Sequence, residues 1–393
     1  MPANPAIDVV VADCEALVNG TVLPAVVEST STQPGNALNT DNFVSFQVTD
    51  NCADFSFEAV VNGQAIDLNA TKLPSAIYTQ GDGSVADPYQ ISNWEQLAAM
   101  GQLLDKHFVL SASLDKDTAN YAQFAGEAAN NGAGFSPIGA LAFDDVGDVD
   151  VPSSDLFTGS LEGAGFSIND LFINRPTESG VALFAGLDSA ATIKNVTLES
   201  IDVTGDELVA GWVSYNKGNI TNVSVTGQVT GSAAVAGLVA QHIGDGTDGI
   251  IKQANADVVV EASGDGAGGL VASQTTGQII QSYAEGQVTG GDLVGGLVGL
   301  NDGGSITQSY ANNNVSGTGD MVGGLVGFEA PISGTPEVTA SFWDQEVSGQ
   351  TTSAGGMGAS TEELTSFEFY NQAWNDDQNT LIIEGWADAT DSS

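Results

Sequence analysis

The stretch Gly291–Ala330, GDLVGGLVGLNDGGSITQSYANNNVSGTGDMVGGLVGFEA, contains one phrase twice. Asp292–Gly299 (DLVGGLVG) returns as Asp320–Gly327 (DMVGGLVG), 28 residues later. Working outward, Val209-Ala-Gly-Trp-Val213, Val235-Ala-Gly-Leu-Val239 and Ala267-Gly-Gly-Leu-Val271 are earlier copies, and Val181-Ala-Leu-Phe184 is a more degenerate one. With Leu183, Trp212, Leu238, Leu270, Leu297 and Leu325 as marks, the steps are 29, 26, 32, 27 and 28 residues. A near-constant period of this size is the signature of a solenoid.

Each period holds three short strand-like runs, for example Ser305–Tyr310, Asn314–Ser316 and Met321–Val326, separated by Gly, Asn, Asp and Ser. Those residues allow tight corners. Leu and Val alternate with small polar residues, the period-2 pattern of strands with one buried face. A helical solenoid needs runs of ten or more residues with a 3.6-residue period, and none occurs here. The fold class predicted is all-β: a right-handed parallel β-helix of roughly nine coils, with short capping helices. Coils stack about 4.8 Å apart, so a Cβ at a corner clashes or blocks a left-handed conformation, which accounts for the glycines.

Gly-Gly-Leu-Val-Gly, then a polar turn, then Ile-x-x-Ser-Tyr-Ala resembles the GLUG repeat of large secreted and surface proteins of bacteria, many of them adhesin-like. The resemblance spans residues 77–365. It implies a β-helical extracellular scaffold and no single activity.

Lys and Arg number 7 against 50 Asp and Glu, giving a formal net charge of −43. No basic patch can be assembled from so few cations, so nucleic acid and anionic lipid are excluded as partners. Two readings of the charge stay open: solubility in high salt, where screening weakens self-repulsion, and oxygen-ligand binding of calcium. No apolar run reaches the length of a membrane helix, so direct membrane insertion is not expected. The start, MPANPAIDVVVADC, lacks a basic n-region and an apolar core, so an exported assignment expects a signal peptide already removed.

Residues 1–72 carry no repeat and read as a small antiparallel, sandwich-like β domain, with turn signals such as Asn62-Gly63. It holds Cys14 and Cys52, expected as a disulfide in an exported protein, with buried free thiols as the alternative. Residues 73–83 read as a linker, and 84–106 as an N-terminal cap segment and helix. Ser92 or Asn93 can N-cap that helix, and Glu95 or Gln96 can return the bond. Trp94, Leu97, Met100, Leu103 and Leu104 share one face, suited to plugging the open solenoid end.

The β-helix is expected over 107–345, the terminal coil and C-terminal cap over 346–386, and a tail over 387–393. An acidic insertion, Phe143–Asp150, places Asp144, Asp145, Asp148 and Asp150 in seven residues, with Asp155 beyond. It can ligate calcium, the one cofactor the sequence suggests, or stand as a solvated loop; it matches neither the EF-hand frame nor the nonapeptide calcium repeat. The long step carries an extra turn, His242–Gly249, and insertions in solenoids are where specificity resides. Val-Thr-Gly at 203–205, 225–227 and 288–290, with Val-Ser-Gly at 315–317, suggests a ladder of hydroxyls or simply a solvent-facing corner. Thr361–Leu364 starts a short helix, and Phe367, Phe369, Tyr370, Trp374 and Trp386 supply an apolar cap or a sugar-binding cluster.

No catalytic constellation is evident. His107 and His242 fall outside any metal or nucleophile motif, and there is no HExxH. A polysaccharide lyase is poorly served by Lys194, Lys217, Lys252 and Arg175 alone, and a hydrolase needs paired carboxylates such as Asp202 and Asp257 to meet across coils. The function expected is an exported, non-enzymatic, adhesin-like scaffold displaying loops to a cell-surface or glycan ligand. The alternatives are a filament or matrix subunit that adds strands head-to-tail to copies of itself, and a β-helical polysaccharide lyase or hydrolase.

Overall fold

The computed structural model describes residues 77–143, 149, 155–244 and 248–366, and the strand backbone at 9–11, 26–27, 44–45, 55–61 and 64–70. The chain divides into two compact units, Met1–Ile77 and Tyr78–Ser393.

The first unit is antiparallel. Phe55–Val61 pairs with Gln64–Ala70 so that Val61 faces Gln64 across Asn62-Gly63, the register that a two-residue turn dictates. Val9–Val11 adds to Phe55–Val61, and Val26–Val27 pairs with Val44–Ser45. Cys14 and Cys52 lie outside the described residues.

The second unit is a parallel β-solenoid with three faces. The long face begins each regular turn: Thr192–Thr204, Asn219–Gly231 and Ile250–Ala262, then the interrupted pairs Gln278–Ile280 with Tyr283–Gly290 and Ser305–Thr307 with Tyr310–Gly317. A second face stacks Glu207–Ala210, Ala233–Ala236, Ala267–Gly268, Val294–Gly295 and Val322–Gly323. A third stacks Phe184–Leu187, Val213–Asn216, Val239–His242, Val271–Gln274, Val298–Asn301 and Val326–Glu329. All of these ladders are parallel, each strand pairing with its equivalent one turn on.

The third face has six strands, so there are six regular turns and not the nine expected. Upstream, the described strands Tyr89–Ile91, His107–Leu110, Ser160–Glu162, Ser167–Asn169 and Phe172–Asn174 all join the long face, and only isolated bridges, Ile138 to Phe184 and Phe157 to Leu187, reach the third. The sequence there is spaced by family-like phrases but does not supply the two short strands that complete a turn.

The marks of the period all point inward. Leu183, Trp212, Leu238, Leu270, Leu297 and Leu325 have no exposed surface. The glycines beside them answer to backbone contact. None of Gly268, Gly269, Gly295, Gly296, Gly323 and Gly324 has a positive φ. A Cβ on Gly268, Gly295 or Gly323 would run into the carbonyl of Val271, Val298 or Val326 at the tight corner of its own turn. A Cβ on Gly269 or Gly296 would strike the carbonyl of Gly296 or Gly324 in the next turn. The left-handed positions are held by side chains that tolerate or endure them, such as Asn195, Asn222, Gln253, Gln281, Gln308 and Ala340 at a kink in the long face.

That kink interrupts the ladder, and a buried serine column repairs it. Ser282 N–H donates to Ser309 Oγ (3.2 Å), and Ser309 N–H to Ser341 Oγ (3.1 Å). Each hydroxyl in turn donates to the carbonyl two residues earlier: Ser282 to Ile280, Ser309 to Thr307 and Ser341 to Thr339. This explains the serine of Ile-x-x-Ser-Tyr-Ala.

The helix expected at the N-terminal end is present but shorter, and Leu103 and Leu104 lie beyond it and are half-buried. Asn93 caps the helix Trp94–Ala99 by accepting from Gln96 N–H, and Gln96 Oε1 accepts from Ser92 N–H at 2.7 Å. Trp94, Leu97 and Met100 are fully buried. Part of the segment read as a linker packs here: Tyr78 is buried and stacks on Tyr89, with ring centroids 4.5 Å apart. At the other end, Ser353 Oγ accepts from Leu325 and Val326 N–H, and the helix Thr361–Leu364 carries a capping box from Ser360 and Glu363. The aromatic cap residues from Phe367 onward lie outside the described residues.

Two stability predictions follow from these contacts. Gly296→Ala is expected to lower unfolding free energy by about 2–3 kcal/mol in urea titrations, as overpacking against an immovable backbone does. Gly101→Ala, whose Cβ meets nothing within 4 Å, is the near-neutral control. Ser309→Ala strips the partner from Ser282 N–H and one of the two donors from the Thr307 carbonyl, which keeps Gln281 N–H, with an expected loss of about 1–3 kcal/mol.

Candidate functional site

The corner between the third face and the long face differs from the other corners. A polar residue stands four positions after each mark from Trp212 onward: Asn216, His242, Gln274, Asn301 and Glu329; after Leu183 the position is Leu187. The ladder places them in register, and the first four are fully buried, so a polar column runs inside the corner. Three members tie down the turn that follows them. Asn216 Oδ1 accepts from Gly218 N–H (3.0 Å), and Asn301 Oδ1 from Gly304 N–H (2.9 Å). Gln274 Nε2 donates to the carbonyls of Gly277 and Ser305 (3.1 and 3.3 Å). Asn216 Nδ2 lies 3.1 Å from His242 Nδ1. Two buried atoms of the column have no partner: His242 Nε2 and Gln274 Oε1.

Burial holds the His242 imidazole neutral, lowering its pKa from 6.5 to about 4, against the opposing pull of backbone groups at Gly249, Gln278 and Asn216. Sequence reasoning placed His242 at the head of a surface insertion. It is instead the inward end of the strand Val239–His242, and the loop begins after it.

Outside this column lies a groove of about 490 Å³ lined by Gly244, Thr276, Gly277, Gln278, Gly303, Ser305, Thr335 and Glu337. Gln278, Ser305 and Glu337 are consecutive rungs of one outward row of the long face. Thr276 braces one wall, its hydroxyl donating to the Gly244 carbonyl and accepting from Gly244 N–H. Gly277, with φ +87°, separates groove from column: a Cβ there would come within 2.7 Å of His242 Nε2.

The other candidates are distributed differently. Asp144, Asp145, Asp148 and Asp150 lie outside the described residues; their flanks, Phe143 and Val149, bridge antiparallel. Among the described residues, no three His, Cys, Asp or Glu side chains are grouped to hold a metal ion. Asp202 and Asp257 do not meet: Asp202 shares a row with Gln228 and Val259, whereas Asp257 pairs with Thr226 and Glu285. The carboxylate neighbours are therefore Asp257 and Glu285, on an open strand face, a pair that spacing alone did not reveal.

The hydroxyl ladder exists with different members. Thr204 stacks on Thr230, then Glu261, Thr289 and Ser316. Val229-Thr-Gly231 supplies the second rung and 225–227 does not, because the long strand carries two copies four residues apart. Tyr283 and Tyr310 stack with centroids 5.0 Å apart and planes at 10°, so each ring face is turned to its neighbour in the column.

A signal for the polar column was present in the sequence, as a fixed offset of four from each mark from Trp212 onward. It was hidden because its members differ in type.

Comparison with known proteins fits this geometry. The family model of the GLUG motif matches residues 290–316, one full turn of the solenoid. "Halomucin" of Haloquadratum walsbyi is 34% identical over 168 residues, covering 42% of this chain and 2% of that protein. A "Putative Gly-rich membrane protein" of Evansella cellulosilytica is 32% identical over 164 residues, covering 41% of this chain and 17% of that protein. The chain thus spans a small part of the length of either relative. The resemblance to GLUG-repeat surface proteins holds, and no described helix is long and apolar enough to cross a membrane.

The column gives a pH prediction. His242 has a lower pKa folded than unfolded, so the unfolded chain binds the extra proton. Its stabilising contribution is complete above about pH 6.5 and is lost as pH falls toward 4, by on the order of 3 kcal/mol in total. Urea midpoints of the wild type and His242→Gln are expected to converge or cross over that window. The comparison cancels the carboxylates common to both, including Glu329, whose pKa burial raises.

Proposed function

We propose that this chain is a display segment of a larger extracellular or cell-surface protein: a rigid, non-enzymatic, adhesin-like solenoid that presents its corner loops for binding. The observation that carries this is the commitment of side chains to stacking. Over six turns the inward rows serve coil-to-coil contact, and the paired corner glycines make room for a carbonyl of their own turn or of the next. Variation is left to the loops, as in repeat proteins that bind through one variable edge. The names of both relatives support a surface setting and neither is that of an enzyme.

One observation favours the glycosidase alternative. Asp257 and Glu285 are in-register neighbours, a separation within reach of the retaining mechanism. Asp257 is exposed on a flat strand face, which offers none of the desolvation that raises the pKa of a general acid. The display reading is therefore preferred.

The test combines two measurements on the full chain. In high salt, negative-stain microscopy is expected to show discrete particles, and fluorescently labelled chain is expected to bind cell surfaces saturably. Incubation with neutral and acidic polysaccharides is expected to release no new reducing ends or unsaturated uronates. Ordered filaments would transfer the reading to a matrix subunit, and product formation lost in Asp257→Asn would establish a hydrolase.

A further inference from the structure

Resting on the display reading, we propose that the corner groove is a subsite for a neutral oligosaccharide lying along the solenoid axis. The groove is defined by rungs of three successive turns. Gln278, Ser305 and Glu337 occupy the same outward row. In a parallel ladder the turns are about 4.8 Å apart, close to the length of one pyranose residue, so the three rungs present polar groups in step with a sugar chain.

The lining suits hydroxyls. Ser305 and Thr335 offer groups that both donate and accept, Gln278 offers a carboxamide, and Glu337 is an acceptor; the Thr276 proton is already given to the Gly244 carbonyl. Gly244, Gly277 and Gly303 contribute backbone alone to the lining. The lining contains no cation, and the whole chain carries −43, so an anionic glycan is repelled. With no aromatic side chain in the lining, a single groove lacks the stacking surface that gives sugar sites affinity, so weak binding is expected. In a protein carrying several such segments, weak subsites would gain avidity.

The groove is preorganised from behind. Gln274 fixes the Gly277 and Ser305 carbonyls, Thr276 clamps Gly244, and His242 Nε2 lies against Gly277. The neutral, fully buried His242 ring is thus a reporter placed behind the floor, distinct from the groups that touch ligand.

The experiment is a titration of the isotope-labelled full chain with cellohexaose, maltohexaose and mannohexaose, with trigalacturonate as the anionic comparison. At least one neutral hexasaccharide is expected to shift the amides of Gly244, Thr276–Gln278, Ser305 and Glu337 and the His242 ring, with Kd about 1 mM. Ser305→Tyr, which fills the groove from an outward rung, should weaken that binding at least tenfold with an unchanged circular dichroism spectrum. Gln278→Ala should weaken it several-fold. No shift with any neutral hexasaccharide, preference for trigalacturonate, or binding unaffected by Ser305→Tyr would each overturn the subsite. If Ser305→Tyr still binds cell surfaces as the wild type does, the subsite fails while the display reading stands; loss of surface binding in the wild type itself sinks the latter alone.

Discussion

The distance between neighbouring turns is the constraint on which the structure depends. Parallel hydrogen-bond ladders hold that distance near 4.8 Å on all three faces. A side chain can then extend into the core or out to solvent, but almost nothing fits between turns at the corners. The glycine pairs of the repeated phrase follow directly. At Gly269 and Gly296 the obstacle is the next turn's carbonyl, and at Gly268 and Gly295 it is the turn's own. Glycine serves here as an absence of Cβ more than as a source of unusual φ.

The same spacing brings like residues together, which favours uncharged columns and is costly for a chain of −43. The corner after the long face shows how a carboxylate column is accommodated. Asp292 N–H donates to Asp265 Oδ1 (2.9 Å), and Met321 N–H donates to Asp292 Oδ1 (3.1 Å). Each carboxylate is thus met by a backbone donor of the following turn, and the remaining repulsion is of the kind that salt screens. These aspartates belong to the scaffold.

The polar column at the opposite corner answers another need. Turns that break a ladder leave backbone groups without partners, and Asn216, Gln274 and Asn301 supply them from inside. His242 takes the same place at the cost of an unpartnered nitrogen and a neutral ring. The groove lies immediately outside this column. Structural repair and a candidate binding surface thus share a corner, and substitutions there act on stability and on binding together.

The sequence alone determined the solenoid, its marks and the helix that closes its start, because period and alternation are one-dimensional signals that stacking copies directly into space. The inward Leu row needed no tertiary information, and the sequence narrowed the cap to Ser92 or Asn93 with Glu95 or Gln96, from which the structure takes Asn93 and Gln96. Only the tertiary structure decided register. It chose Thr230 over Thr226 as a ladder rung, paired Asp257 with Glu285 instead of Asp202, and limited the regular turns to six. It also turned His242 inward and set Gln278, Ser305 and Glu337 in one row. A shift of one residue along a strand exchanges its buried and exposed faces, and a bulge such as that between Leu198 and Ile201 displaces every rung beyond it. Such shifts depend on contacts a full turn away, where the linear spacing of the repeats carries no record of them.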